Sequence, residues 1–125
     1  MKYKYKVRYI NGNNIRIIPY IDIEDPTVED VGDFLFSDVD GDEDEYIEAI
    51  DKVVAGEIKP EILCGNMYML SIFPEYCEIR NQYAEEMGEP DRVCRIETSE
   101  LREFILLWKQ VRREHREWRK KKGFL

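Results

Sequence analysis

The sequence is poor in the residues that chemistry most often recruits. Its 125 residues contain one histidine, His115, and three cysteines, Cys64, Cys77 and Cys94, none in a Cys-x-x-Cys pair. An odd, dispersed set excludes a disulfide framework and a thiolate zinc site. Each cysteine sits among apolar, strand-like residues, so all three are expected to be small buried thiols. Gly-rich phosphate loops are missing, as is any Gly-Lys-Ser/Thr. No apolar run has the length of a signal peptide or a membrane span, and the chain is expected to be cytoplasmic with no membrane partner. Basic residues are the minority, 19 against 27 acidic, a net charge of −8 at pH 7. That balance argues against a protein built to grip a nucleic-acid backbone.

What is present is enough for a core: 43% hydrophobic residues, with eight Tyr and five Phe. The length suits one domain, 1–125, with a basic tail over about 112–125. Residues 2–10 alternate, Tyr3, Tyr5, Val7 and Tyr9 on one side and Lys2, Lys4, Lys6 and Arg8 on the other, which predicts a strand with one wet face. Asn11-Gly12-Asn13-Asn14 is a turn sequence. A second strand over 15–21 places Ile15, Ile17 and Ile21 together, and Pro19 marks an edge or bulge.

Asp25-Pro26-Thr27 reads as a helix start, continued by Val28, Val31 and Leu35 with an unfavourable Gly32 inside. Beyond the acidic run 38–45, Tyr46, Ile47, Ile50, Val53 and Val54 make an amphipathic stripe that ends at Gly56, a residue suited to a left-handed cap. Strands are predicted over 58–64, 67–73, 76–80 and 92–97, with 81–91 a loop. Thr98 or Ser99 caps a last helix, whose stripe is Leu101, Phe104, Ile105, Trp108, Val111, His115 and Trp118. The expected class is α+β: an antiparallel sheet with two middle helices and a long C-terminal helix packed on it.

Catalytic constellations are hard to find. His115 lies on an apolar stripe with no nucleophile or acid placed against it, and a packed or half-exposed ring beside Trp118 is expected. The run Asp38-x-Asp40-Gly41-Asp42-x-Asp44 imitates a calcium loop, but with Gly41 sixth the terminal ligands fall on Phe36 and Ile47, and with Asp38 first the twelfth falls on Ala49. Carboxylates are abundant, yet nothing singles out an acid and a base. The reading is of no enzyme, no catalytic residue, no metal and no cofactor.

Charge segregation is the informative feature. Residues 22–51 carry 14 acidic groups and no Lys or Arg, whereas Lys109, Arg112, Arg113, Arg116, Arg119, Lys120, Lys121 and Lys122 crowd the C-terminal end. Two like charges about 7 Å apart in water repel by about 0.6 kcal/mol, so a belt of this size loses several kcal/mol that a cationic partner could relieve. Two plainer accounts compete: a solvated face, or internal neutralisation by the basic first strand and last helix.

The segment from about Tyr46 to Val111 resembles small cytosolic immunity proteins of bacterial contact-dependent inhibition and polymorphic toxin systems. The resemblance is carried by the helix ending at Gly56, by Gly65-Asn66, the 67–73 strand, Ile79, Cys94-Arg-Ile-Glu-Thr98, and Leu101 with Trp108. It covers about half the chain and implies a non-enzymatic inhibitor that binds one cognate basic toxin domain, commonly a nuclease, one-to-one. Asp38, Asp40, Asp42, Glu43, Asp44 and Glu45 are the expected contact carboxylates, with Asp30, Asp33, Tyr46 and Glu48 at the rim. Tyr46 could equally be core. Nucleic acid is not an expected partner. The rival readings are an adaptor using the strand edge near Pro19 or the tyrosine face, and nucleic-acid binding through residues 109–122.

Overall fold

The structure, a computed structural model, describes residues 1–12 and 16–123. Strands β1 (Tyr5–Gly12) and β2 (Arg16–Ile23) pair antiparallel as a sheet of their own. A short helix, α1 (Asp30–Phe34), runs into a π-helical turn, Leu35–Val39, and then helix α2 (Glu43–Val54). Strands β3 (Glu61–Cys64), β4 (Tyr68–Ile72), β5 (Tyr76–Asn81) and β6 (Val93–Glu97) form a four-stranded antiparallel meander in chain order. Helix α3 (Thr98–Lys121) closes the chain. The class is α+β, with the long C-terminal helix packed against the larger sheet.

Alternation explains which sheet face is buried. Tyr68, Leu70 and Ile72 of β4, Cys77 and Ile79 of β5, and Cys94 and Ile96 of β6 point inward. They meet Leu101, Phe104, Ile105 and Trp108 of α3, all at most 1% exposed. The helix spacing of three and four lays those side chains along one face, and period two does the same on each strand. Phe34 bridges the layers, its ring edge-on to both Tyr46 and Tyr68. The tyrosine face of β1 lies over α3: Tyr3 and Tyr5 sit 6.5 and 6.0 Å from the Phe104 ring, and Tyr9 6.0 Å from His115.

Several expectations are corrected. Asp25-Pro26-Thr27 does not open a helix. The Asp25 carboxylate accepts from Thr27 N at 2.9 Å and Thr27 Oγ1 at 2.6 Å, a local turn that competes with helix, and α1 begins at Asp30. Val54 is 54% exposed, because α2 turns that side to solvent. Thr98 is not a cap but a buried first residue of α3, donating Oγ1–H to the Phe73 carbonyl at 2.6 Å. Cys64 is exposed at the end of edge strand β3, whereas Cys77 and Cys94 are buried as expected. Ile17 and Ile21 part company, 38% and 0% exposed, and Ile15 lies outside the described residues.

Gly32, unfavourable by propensity, has a packing reason. A Cβ there would overlap the carbonyl oxygen of Ile21, so glycine is what lets α1 press against β2. Gly56 takes the left-handed conformation expected of a helix stop, φ +74°.

Candidate partner-binding groove

The acidic belt does not stand free as a whole. Asp40 accepts from Arg112 Nε at 2.9 Å, Asp44 pairs with Lys109 at 2.6 Å and Asp51 with Arg102 at 2.8 Å, so α3 holds three of its carboxylates. Asp30 takes a two-pronged contact from Arg92, which also reaches Glu29 at 3.7 Å. Asp22 pairs with Arg8, and Glu48 with Lys52 one turn along α2. Half of the fourteen acidic groups thus face the chain's own cations. Four of these seven pairings come from the basic first strand and the last helix, part of what one of the two plainer accounts weighed from the sequence expects, and the other three come from Arg92 and Lys52.

Two expected contact carboxylates, Asp38 and Glu43, and the rim residue Tyr46 are taken out of the surface. Asp38 is 4% exposed and accepts the backbone amides of Met67 at 3.0 Å and Tyr68 at 2.8 Å, pinning the π-helical turn to the start of β4. The neighbouring Gly65 must lack a side chain because its Cβ would overlap the Asp38 carboxyl. Glu43 is 9% exposed with Oε2 buried and unpartnered among the described residues. Tyr46 is core, 6% exposed, and burial with nearby carboxylates pushes its phenol up to about 12. Asp33, half-buried, accepts from the Tyr68 hydroxyl at 2.5 Å; burial, and then this bond, raise the phenol.

What remains is a groove of about 700 Å³ between α2 and edge strand β3. Asp42, Glu45 and Glu48 descend one wall, Glu61 stands on the other, and Asp38 and Tyr46 reach its floor; Lys52 is the one cation among its lining residues. The side chains of Asp42 and Glu45 make no ion pair or hydrogen bond among the described residues and are exposed. The far wall, Ile58, Glu61, Leu63, Cys64 and the Gly65-Asn66 turn, escaped the sequence reading. Its only signal was Glu61 at the head of an otherwise apolar segment.

Among the described residues β3 pairs only with β4, so its other edge is unpaired within the sheet. Ile62 on that strand is 61% exposed. A strand edge beside a negatively charged wall can take backbone hydrogen bonds and cationic side chains together. Elsewhere the chemistry is quiet. Burial raises the Cys77 thiol and pushes the Cys94 thiol up to about 12, the opposite of an activated nucleophile. Among the described residues, no group of three or more His, Cys, Asp or Glu is arranged to hold a metal ion, and no helix is long and apolar enough to cross a membrane.

No family model, curated protein or solved structure matches the chain.

Proposed function

We propose that the protein is a non-catalytic binding module whose α2–β3 groove receives a basic segment of a protein partner. Its physiological form would be neutralisation of a cognate toxin domain, as the resemblance to immunity proteins implies. The observation that carries this reading is the groove's charge: Asp42, Glu45, Glu48 and Glu61 against Lys52 alone. Carboxylates gathered around one concavity focus the field that draws a cationic partner in. A nuclease toxin carries a basic groove because its substrate is polyanionic, which makes it the best-matched partner. Asp30, Asp40 and Asp44 take a secondary part, since each already has a cation of its own to exchange.

The test is association with the toxin domain encoded alongside the gene, followed by stopped flow at low salt. Replacing Asp42, Glu45 and Glu48 by Lys together should slow association by roughly tenfold or more, with an unchanged circular dichroism spectrum. An unchanged rate removes the groove as the docking surface. A locus with no toxin gene beside it argues against the immunity role while leaving the binding module standing.

A further inference from the structure

Antiparallel pairing decides which backbone groups of β3 look outward. The Gly65 amide donates to the Tyr68 carbonyl at 2.9 Å, and Leu63 and Glu61 stand opposite Leu70 and Ile72. Bonded and non-bonded pairs alternate along such a ladder, so Glu61 and Leu63 point their amides and carbonyls at β4. Ile62 and Cys64 turn theirs the other way, and no strand receives them among the described residues. Pro60 precedes this edge and the Gly65-Asn66 turn follows it. Between them β3 carries neither the proline nor the lysine that commonly guards a free edge.

Side chains alternate in the same way. Glu61 and Leu63 share the face of Ile72 and Leu70, whereas Ile62 and Cys64 lie on the opposite, exposed face. Helix α2 runs back along the strand. The Asp38 carboxyl before it abuts Gly65, and its last turn is tied to the other end by the Glu57 amide, which donates to the Lys52 carbonyl at 2.9 Å. Lys52 stands at that end, paired with Glu48 at 2.9 Å, and Asp42 and Glu45 stand toward the Gly65 end. From Asp42 to Glu48 the carboxylate row is about 9 Å long, at 1.5 Å per residue. Alternate residues of an extended chain are about 6.7 Å apart, so two of its side chains span that row.

We infer that the groove takes its partner as an extended segment added to β3, antiparallel to it, with Lys or Arg at alternate positions and apolar residues between. Guest residues opposite Ile62 and Cys64 exchange backbone hydrogen bonds with them and lay apolar side chains beside Ile62, which is 61% exposed. The guest residue opposite Leu63 and its neighbours two along point into the groove, where Asp42, Glu45 and Glu61 meet their charge. A basic helix would satisfy the carboxylates but leave the Ile62 and Cys64 backbone groups to water. The chain's own β1 has the matching alternation, yet its Tyr3 and Tyr5 lie over the Phe104 ring, so a second copy is the poorer guest. Strand addition rests on the basic-partner reading of this groove and specifies the form that partner takes.

The experiment titrates the full chain at 50 mM salt with four capped, labelled eight-residue peptides, reading anisotropy. One alternates lysine and valine, and one has four lysines followed by four valines. The other two are the alternating peptide N-methylated at two valines, whose amides face β3, or at two lysines, whose amides face away. The alternating peptide should bind roughly tenfold more tightly than the block peptide. Valine methylation should weaken it by roughly tenfold, the effect of two lost hydrogen bonds, and lysine methylation should change little. The bound peptide should slow hydrogen exchange at the Ile62 and Cys64 amides. Ile62→Pro removes an outward amide without touching the ladder to β4, and should abolish the preference for the alternating peptide, with circular dichroism checking the fold. Equal affinities for the alternating and block peptides, equal affinities for the two methylated ones, or unprotected Ile62 and Cys64 amides would each overturn the added strand while leaving a basic partner in place. Absence of binding by all four removes the basic-partner reading with it. A dimer of the free chain in sedimentation, dissociated by Ile62→Pro, would give the edge to a second copy and overturn the proposal as well.

Discussion

Arg112 Nε donates to Asp40 Oδ1 at 2.9 Å, joining residues 72 apart in the chain. The Trp108 indole N–H donates to the same oxygen at 3.2 Å. One carboxylate thereby ties the end of the π-helical turn to the middle of α3, and the Arg112 guanidinium lies 5.9 Å from the Trp108 ring centre. A double-mutant cycle on Asp40→Ala and Arg112→Ala should give a coupling of about 1 kcal/mol in urea denaturation, smaller at 1 M salt. A coupling indistinguishable from zero would mean the pair is only a geometric coincidence.

Gly32→Ala separates two physical predictions of opposite sign. Helix propensity alone says alanine stabilises by about 1 kcal/mol. The overlap between its Cβ and the Ile21 carbonyl says it destabilises, by roughly 1–3 kcal/mol, as α1 is levered off β2. Thermal melts of the variant give the answer directly.

Asp38 is a structural carboxylate, and its removal should be felt in folding. Asp38→Ala leaves the Met67 and Tyr68 amides without their acceptor and should cost about 2–3 kcal/mol. Asp38→Asn, which keeps one acceptor oxygen, should cost less. Gly65→Ala should also destabilise, by crowding the same carboxyl.

His115 sets a pH dependence that begins below its ordinary pKa of 6.5. Burial, then Arg112 and Arg119, hold its pKa below the ordinary value of 6.5. Tyr9, Phe36, Asp40, Trp108, Glu114, Arg116 and Trp118 are the other polar, charged or aromatic groups lining the two cavities that His115 borders. In the window between the folded and unfolded pKa the unfolded chain binds the extra proton, so stability falls as pH drops below 6.5. It levels off again below the folded pKa, as far as this group is concerned. With only one histidine in the chain, His115→Phe should flatten that slope in denaturation midpoints measured from pH 7 to pH 5. An unaltered slope would show that another group carries it.

Glu97 gives a second, more acidic transition. The Lys2 ammonium, then the Tyr3 hydroxyl, hold its carboxyl down at about 2. Because this pKa is depressed, the stabilisation is present above the usual carboxylate value and is lost as pH falls through the folded value. Tyr3→Phe should shift the acid transition to higher pH, as followed by tyrosine and tryptophan fluorescence.

How much of this could be read from the residues depends on how local the cause was. The alternation of Tyr3, Tyr5, Val7 and Tyr9 and the stripe from Leu101 to His115 name their own elements, because side-chain period is set by backbone geometry within a few residues. Gly56 as a helix stop is equally local. Thr27 shows where local reading fails: the same Asp25 that suits a cap also suits a short turn, and the turn wins. Exposed Val54 and Cys64 differ from their buried neighbours only through what packs, or does not pack, beside α2 and β3.

The fourteen-carboxylate belt was visible by counting; its pairing was not. The order of residues along the chain determined that it is an α+β protein with opposite charges gathered at different places along it. Only the tertiary structure decided that Asp40, Asp44 and Asp51 pair with α3, that Asp38 belongs to backbone amides, and that the Asp42 and Glu45 side chains stay exposed without an ion pair among the described residues. The reason is distance: an ion pair needs two groups within about 4 Å, and whether elements some 50 to 70 residues apart approach so closely is settled by the packing of the core between them.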